Sequence, residues 1–319
     1  MAYKRQGKFV AAMKAYDKGL QLEPKSPQIR CSLADLQLEI GMIAEAIENY
    51  RRAMSLAEGD AELTKSALLG LAESHLVLSE NQFEDGMYAH AAVTVRSCIK
   101  CAQEALASGG EEDFIIWKIL GDAFTSASDS NDGYLAEVPA PALQGGPIAA
   151  SASAYLSAGG AAYGKALALR PDIPELHSDV AVNKWRSATL LKKGSEQRLA
   201  LATEACEHMK RAIELDPSQE EFWVSLAIMS EKDPAYQQHI LCVVLGEKPK
   251  CIAAWMQLAI VYIRQNMAEE AHECIKKAQT LDPEHVCAMP IWSYIPLRLT
   301  LSRMHLGWAW LSCQSLRAL

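Results

Sequence analysis

Residues 252–285 read IAAWMQLAIVYIRQNMAEEAHECIKKAQTLDPEH, and this stretch decides the fold. Its large and small apolar side chains recur at steps of three and four, which places them on one face of a helix. Small residues on such a face let two helices approach closely. The positions concerned are Trp255, Leu258, Ala259 and Tyr262 in the first half, and Ala271 and Ala278 in the second. The stretch therefore predicts two helices packed against each other.

A proline ends the second of these helices. Pro283 follows Leu281 and Asp282, and proline supplies no N–H and disfavours helix in the residue before it. The same Leu-x-Pro ending recurs at residues 22–24, 169–171 and 215–217. The endings therefore indicate that the pair of helices is repeated along the chain.

The repeat has a period of 34 residues. The residues that recur 34 positions later are Gly7, Ala12 and Tyr16, matched by Gly41, Ala46 and Tyr50. A helix-turn-helix unit of this length resembles the tetratricopeptide repeat (TPR) family. The resemblance implies an all-α TPR solenoid, a right-handed superhelix of helix-turn-helix repeats.

The spacing of these patterns predicts four segments. TPR repeats occupy residues 1–125, with the first repeat incomplete, the third lengthened and the fourth represented by its first helix. Residues 126–150 are rich in Ser, Gly, Pro and Asp and are expected to be a flexible insertion within a repeat. Repeats resume over residues 151–289. The incomplete first repeat suggests a truncated chain, which we expect to aggregate without its flanking repeats because apolar end faces would be exposed.

Residues 290–319 form a divergent apolar tail with no acidic residue. It contains Trp292, Trp308 and Trp310, three of the seven tryptophans. A capping helix and an artefactual terminus are two interpretations of this tail. A helix lying on a membrane surface, with arginines beside the aromatic rings, is a third.

Composition narrows the class of protein. The net charge of −8 argues against broad binding of a phosphate backbone, which needs a basic face. No uncharged apolar run reaches the ~18 residues that span a bilayer, and no secretory signal is recognisable. The nine cysteines are scattered, mostly at helix-core spacing, which is typical of a reduced protein in which Cys packs as a small apolar residue.

The motifs that would indicate a catalytic, metal-binding or phosphate-binding site are incomplete. Cys98 and Cys101 form a C-x-x-C pair, but no second pair of ligands follows at the spacing that zinc needs. His272-Glu273 begins like a zinc-protease motif, but Lys276 stands where the second histidine is required. The Gly-Gly pairs lack the partners of a phosphate site. We therefore predict a protein that is not an enzyme, with no catalytic, cofactor-binding or metal-binding residues.

A TPR array without chemistry is expected to bind proteins. The first helices of its repeats line a groove that takes extended peptides or partner helices. The positions expected to face this groove are Gln28, Cys31, Asp35, Ile115, Lys118, Asp122, Ala253, Met256 and Ile260. One TPR class grips the carboxylate end of chaperones with several Lys, Arg and Asn side chains, and a lone Lys118 does not provide that clamp.

The irregular repeats carry a closer resemblance. Residues 68–106 read LLGLAESHLVLSENQFEDGMYAHAAVTVRSCIKCAQEAL, and residues 115–128 read IIWKILGDAFTSAS. Together with HMKRAIELDPSQEEFWVSLAIMS at 208–230, they resemble the large TPR scaffold subunit of the superkiller complex of animals. The similarity covers about residues 60–289 and lies in the order of the aberrant repeat lengths. The natural subunit is much longer than this chain.

This resemblance implies a non-catalytic scaffold that organises a DExH-box RNA helicase and WD40 subunits. Such a complex feeds messenger RNA to the RNA exosome for 3′-to-5′ decay in the cytoplasm, with the nucleus as an additional location. No direct contact with nucleic acid is evident from the sequence, and no membrane partner is expected. Two alternatives stay open, namely a chaperone adaptor and the regulatory TPR array of a larger enzyme.

Overall fold

A computed structural model describes residues 9–57, 59–128 and 151–283 of the chain. These residues form 13 α-helices and no β-strand, which confirms the predicted all-α TPR architecture. The helices are α1 (Phe9–Leu22), α2 (Pro27–Glu39), α3 (Ile43–Leu56), α4 (Ala61–Glu84), α5 (Tyr88–Ala107), α6 (Phe114–Ala127), α7 (Ala152–Leu169), α8 (Pro174–Leu190), α9 (Glu196–Leu215), α10 (Glu220–Met229), α11 (Pro234–Glu247), α12 (Ile252–Arg264) and α13 (Ala268–Leu281).

The chain divides into two units, residues 1–205 and 206–319, and the division falls within α9. In the first unit α2 packs against α3, α4 against α5, α6 against α7, and α7 against α8. In the second unit α10 packs against α11, α11 against α12, and α12 against α13. Each unit is thus built from helix pairs that pack on the next pair along the chain.

Alanine makes the close helix packing possible. Ala34, Ala46 and Ala53 are fully buried where α2 and α3 meet, and Ala271 and Ala278 have the same role in α13. An alanine keeps the helix propensity of a longer side chain while it lets two backbones approach. Leu, Ile and aromatic side chains then fill the spaces between the helices, with Tyr50, Phe124 and Tyr155 among the largest buried ones.

Five helices begin with the same hydrogen bond. In each, the side chain of the fourth residue donates to the backbone carbonyl six residues earlier, in the preceding turn. The bonds are Arg30 to Pro24 (3.0 Å), Trp117 to Glu111 (2.8 Å), His177 to Pro171 (3.2 Å), Trp223 to Pro217 (3.1 Å) and Trp255 to Pro249 (2.9 Å). The carbonyl of the residue that ends one repeat therefore anchors the first helix of the next.

Three first helices end in the same way. Gly41, Gly86 and Asn266 have positive φ after α2, α4 and α12, a conformation that glycine and asparagine adopt at low cost. In each case the next residue, a methionine, donates its N–H to the carbonyl five residues before it, at 2.8 to 2.9 Å. These bonds satisfy carbonyls that the helix end would leave unpaired.

Three parts of the sequence-based description fall on residues outside the described ranges. The predicted insertion at 126–150 overlaps residues 129–150, between the end of α6 and the start of α7. The predicted tail at 290–319 and the incomplete start of the first repeat also lie there. Their assignments stay predictions. Within the described ranges, no helix is both long and apolar enough to cross a membrane.

Candidate functional site

Two tyrosines fix two carboxylates on the first helices of their repeats. Tyr50 of α3 donates a hydrogen bond to Asp35 Oδ1 of α2 at 2.5 Å. Tyr163 of α7 donates in the same way to Asp122 Oδ1 of α6 at 2.6 Å. Burial and the neighbouring aspartate raise the pKa of both tyrosines, so both hydroxyls stay protonated donors. Asp35 and Asp122 are the ninth residues of their helices and hold equivalent positions.

Glycines lie beneath these tyrosine rings. A Cβ atom at Gly70 would be 2.3 Å from the Tyr50 ring, and one at Gly121 would be 2.5 Å from the Tyr163 ring. Any larger residue would push the ring and its hydroxyl away from the aspartate. The glycines therefore help to set the positions of Asp35 and Asp122. In the repeat pattern a small residue follows the leucine of the first helix, as Ala259 follows Leu258. Gly121 follows Leu120 in this way, but in α4 this position falls on Ala72, so the pattern did not indicate Gly70.

A lysine is held between two aspartates of adjacent repeats. Lys118 Nζ lies 2.8 Å from Asp122 Oδ2 in its own helix and 3.3 Å from Asp179 Oδ2 on α8. Burial opposes the charge on Lys118, but the two aspartates outweigh it and raise its pKa. Burial raises the pKa of Asp179 to about 6, although Lys118 acts in the opposite direction. The ammonium that the sequence placed in the groove is thus neutralised within the chain.

Two further carboxylates share this surface. Glu73 and Glu80 on α4 are exposed, and neither forms an ion pair within 4 Å among the residues that the structure describes. Partial burial and the negative charge of Asp35 raise the pKa of Glu73. Partial burial and Asp122 do the same for Glu80. We call the surface formed by Asp35, Glu73, Glu80, Asp122 and Asp179 the acidic face.

A buried polar junction connects α6, α7 and α8 beside this face. Asn183 Nδ2 donates to Thr125 Oγ1 at 2.9 Å, and Arg186 donates to the Thr125 carbonyl at 3.2 Å. Gly159 and Gly160 leave room for the amide, since a Cβ on either would lie 3.0 Å from an Asn183 side-chain atom. This Gly-Gly pair therefore serves helix packing.

The structure separates the predicted groove residues into two groups. Cys31 and Met256 are buried among neighbouring helices at 7% and 1% exposure, so they contribute to the core rather than to a binding surface. Their soft, apolar side chains explain this placement. The others are exposed or half-buried, namely Gln28, Asp35, Ile115, Lys118, Asp122, Ala253 and Ile260.

In the second unit the first helices form a mixed surface. A shallow cleft of about 360 Å³ opens between the starts of α10 and α12, with Glu221 and Lys250 among its polar residues. Its apolar lining is Val224, Ile252 and Ala253. Nearby, Lys248 pairs with Glu220. Cys251 also lines this cleft, and it is buried.

Burial shifts the pKa values of several thiols and of one imidazole away from those of reactive groups. Cys98 is fully buried, and burial raises its thiol pKa well above the usual value; the pKa of Cys101 is raised in the same way. Burial also raises the pKa of Cys274 to about 11 and lowers that of His75 to about 4. A nucleophilic thiol needs the opposite shift. Within the described ranges, no group of three or more His, Cys, Asp or Glu side chains could hold a metal ion.

Family models identify two of the repeats. Residues 27–60 and residues 252–285 each match a model described as tetratricopeptide repeat. The first match contains α2 and α3, and the second contains α12 and α13. The matches therefore fall on helix pairs with regular length.

Curated relatives extend the similarity to most of the chain. The chain is 27% identical over 295 residues to superkiller complex protein 3 of Mus musculus, covering 89% of this chain and 18% of the relative. It is 25% identical over 296 residues to superkiller complex protein 3 of Homo sapiens, with the same coverages. Superkiller protein 3 of Schizosaccharomyces pombe matches 39% of the chain at 26% identity, over 9% of its own length. The chain spans less than a fifth of the length of these relatives.

Solved structures support the fold. The Cut9 and Hcn1 hetero-tetramer of the APC/C aligns with a TM-score of 0.60 at 12% identity, covering 92% of this chain and 46% of that one. A tetratricopeptide repeat protein from Parabacteroides merdae aligns with a TM-score of 0.56 at 13% identity, covering 89% and 92%. The chain therefore has the tetratricopeptide repeat fold and is similar, along nine-tenths of its length, to superkiller complex protein 3.

Proposed function

We propose that the chain is a non-catalytic scaffold segment that organises an RNA helicase of the DExH-box type and WD40 subunits. In this role it contributes to the delivery of messenger RNA to the RNA exosome for 3′-to-5′ decay in the cytoplasm, with the nucleus as a second location. The observation that carries the proposal is the similarity to superkiller complex protein 3, which extends through the irregular repeats as well as the regular ones.

The side chains of the first helices fit a binding role. They present carboxylates, isoleucines and a small cleft, while Cys98 is buried and its thiol pKa is raised by that burial. A chaperone adaptor is less well supported, because Lys118 is already bound by Asp122 and Asp179. Its ammonium is therefore not free to hold the carboxylate of a chaperone tail.

Co-purification tests this proposal. We expect the tagged chain, expressed in animal cells, to recover a DExH-box helicase and a WD40 protein above the level of a tag-only control. Ribonuclease treatment of the lysate should leave this recovery unchanged, since the proposed contacts are between proteins. Recovery of neither partner would contradict the scaffold role.

A further inference from the structure

We propose that the turn end of the helix pair α4–α5 is a docking surface for a protein partner that presents apolar side chains bordered by Lys or Arg. The surface is formed by Phe83, Met87 and Tyr88, and we call it the α4–α5 tip. This inference deepens the proposed scaffold function and rests on it. It is argued from the length of the two helices, from the exposure of these side chains and from the charges beside them.

The pair α4–α5 extends further than the pair α2–α3 that precedes it. Helices α4 and α5 have 24 and 20 residues, whereas α2 and α3 have 13 and 14. Gly41 follows the buried Ala34 by seven residues, and Gly86 follows the equivalent Ala72 by fourteen. The difference of seven helical residues corresponds to about two turns, or about 10 Å. The turn of α4–α5 therefore lies further out along its helices than the turn of α2–α3.

The two turns are otherwise built alike. Both glycines have positive φ, and a methionine follows each. Four residues before the first glycine, Gln37 accepts a hydrogen bond from Asn49 Nδ2 at 2.8 Å. Four residues before the second, Gln82 accepts one from Thr94 Oγ1 at the same distance. The end of α4–α5 is therefore the same kind of turn, carried outward by longer helices.

The outward shift exposes a side chain that lies on the core-facing stripe of α5. Tyr88 begins this stripe, which continues at steps of three and four through Ala92, Val95 and Ile99. These three are fully buried in a core that also contains residues of α6 and α7. Tyr88 is 50% exposed, so the stripe runs beyond the helices that cover the rest of it.

Two further apolar side chains join Tyr88 at the tip. Phe83 of α4 packs against the same core, and its ring centroid lies 6.2 Å from that of Tyr88. Met87, in the turn, is 43% exposed. The counterparts of Met87 and Tyr88 in the shorter pair, Met42 and Ile43, are half-buried. The tip thus presents to solvent an apolar surface of the kind that is covered at the equivalent place in α2–α3.

The charges beside the tip are acidic. Between Leu76 and Val95 the chain has three acidic residues, Glu80, Glu84 and Asp85, and no Lys or Arg. Glu84 and Asp85 are exposed, and neither forms an ion pair among the residues that the structure describes. A partner surface with apolar side chains bordered by Lys or Arg therefore complements the tip both in its apolar area and in its charge.

Other occupants fit this surface less well. A second copy bound in a symmetric dimer would bring the same acidic residues of the two copies together. Residues 129–150 contain Asp129, Asp132 and Glu137 but no Lys or Arg, so their charge repels that of the tip. Phosphate backbones and anionic lipid surfaces are repelled for the same reason. A protein partner with basic residues is the occupant that the charges favour.

The test combines co-purification and photocross-linking of the full chain, tagged and expressed in animal cells. The test variant is Met87→Ser/Tyr88→Ser. Its matched control is Tyr236→Ser/Val243→Ser on α11, where the two apolar side chains are exposed to a similar degree, 38% and 43%. Tyr88→p-benzoylphenylalanine identifies the occupant by cross-linking followed by mass spectrometry. Circular dichroism of the purified variants checks that they keep the helix content of the wild type.

A second variant tests the charges separately. Glu84→Lys/Asp85→Lys reverses two charges beside the tip and leaves its apolar side chains in place. The matched control is Glu269→Lys/Glu273→Lys on α13, which makes the same change at exposed positions of the second unit.

We expect Met87→Ser/Tyr88→Ser to lower the recovery of the helicase or of the WD40 protein by about tenfold, because a few apolar anchors carry most of the affinity of an interface. Charge reversal should lower it by about threefold, since exposed ion pairs contribute modestly. Each control should change recovery by less than about twofold. The cross-link should join position 88 to a peptide of the recovered partner that contains Lys or Arg.

Three results would overturn the proposal. One is recovery by Met87→Ser/Tyr88→Ser equal to that of the wild type. The others are a cross-link from position 88 to a second copy of the chain and a cross-link to residues 129–150 of the same chain.

The outcome is separable from that of the scaffold proposal. If the wild-type chain recovers the helicase or the WD40 protein and the tip variants recover it equally well, the docking inference fails alone. If the wild-type chain recovers neither, the scaffold assignment fails and the docking inference fails with it.

Discussion

The helix pairs α2–α3 and α6–α7 share a tyrosine–aspartate hydrogen bond although the chain connects them very differently. In the first pair the bonded tyrosine and aspartate are 15 residues apart, and in the second pair they are 41 residues apart. The hydrogen-bond lengths differ by only 0.1 Å. The interface between paired helices is therefore set by the residues that meet, while the length of the connection is free to vary.

Energetics explains this tolerance. The cost of closing a flexible connection grows only with the logarithm of its length, by about 0.6 kcal/mol for each doubling. A buried hydrogen bond and a well-packed ring contribute more than this. Lengthening a turn within a repeat is thus inexpensive as long as Tyr163, Asp122 and Gly121 still meet.

The largest expected effect on stability comes from replacing Gly70 and Gly121, which lie beneath the rings of Tyr50 and Tyr163. We expect Gly121→Ala and Gly70→Ala each to lower the free energy of unfolding by about 2 kcal/mol or more, because the new Cβ would overlap a buried tyrosine ring. Chemical denaturation followed by circular dichroism measures this. Gly164→Ala on α7 is the matched control, since a Cβ there meets nothing within 4 Å.

For Gly164→Ala we expect a stabilisation of about 0.5 to 1 kcal/mol from helix propensity alone. A similar small gain in stability for Gly121→Ala would show that the Tyr163 ring adjusts freely. It would also show that the Tyr163–Asp122 bond does not define the pair.

The stability of the helix pair α6–α7 should depend on pH in a way that the stability of α2–α3 does not. Asp179 contacts Lys118 only beside α6–α7, and its pKa is raised to about 6 in the folded protein from an ordinary value near 3.8. Because the folded state binds this proton more tightly, the contribution of Asp179 to stability is present below about pH 4 and is lost as the pH rises through 6. The variant Asp179→Asn imitates the protonated form and should lack this loss.

We expect the stability of Asp179→Asn relative to the wild type to increase by about 1 to 2 kcal/mol between pH 4 and pH 7. The free energies of unfolding of the variant and the wild type have to be compared at each pH, because His75 acts in the opposite direction. Its pKa is lowered to about 4 in the folded protein, so its contribution to stability is lost as the pH falls from 6.5. Asp35→Asn serves as the control in the α2–α3 pair. If the free energies of unfolding of the wild type and Asp179→Asn change in parallel with pH, the raised pKa of Asp179 would be contradicted.

Removing the tyrosine hydroxyls should have the smallest effect. Tyr163→Phe leaves the half-buried Asp122 without one donor, and we expect a loss of about 1 kcal/mol. Tyr50→Phe should cost less, because Asp35 is exposed and water can replace the hydroxyl. Thermal and chemical denaturation of both variants compare the two costs, and a larger loss for Tyr50→Phe would reverse our ranking of the two sites.

Much of the fold was predictable because the TPR pattern consists of residues of distinctive size at fixed spacing. Trp255, Ala271 and the proline endings mark helix pairs without any knowledge of their neighbours. The acidic face was less predictable. The sequence pattern selected Asp35, Lys118 and Asp122, which are exposed or half-buried on their helices, but the partner Asp179 lies on the next first helix, beyond the predicted insertion at 126–150.

Glu73 and Glu80 show why the rest could not be deduced. Exposed glutamates on a helix are ordinary in sequence, and only the positions of Asp35 and Asp122 make them part of one charged surface. Cys31 and Met256 illustrate the reverse case. Their spacing matched the expected groove positions, but the neighbouring helices bury both side chains.

The bond between the fourth residue of a helix and the carbonyl six positions earlier has a consequence for how repeats can be exchanged. The transferable module starts at the turn residue that supplies the carbonyl, three residues before the helix, and not at the first helical residue. A graft joined at Ile252 would keep the Trp255 donor of this chain but take its acceptor from foreign sequence, whereas a graft joined before Pro249 would carry both. Chimeras that respect this boundary should keep their joints rigid, which is the property that a scaffold has to pass from one repeat to the next.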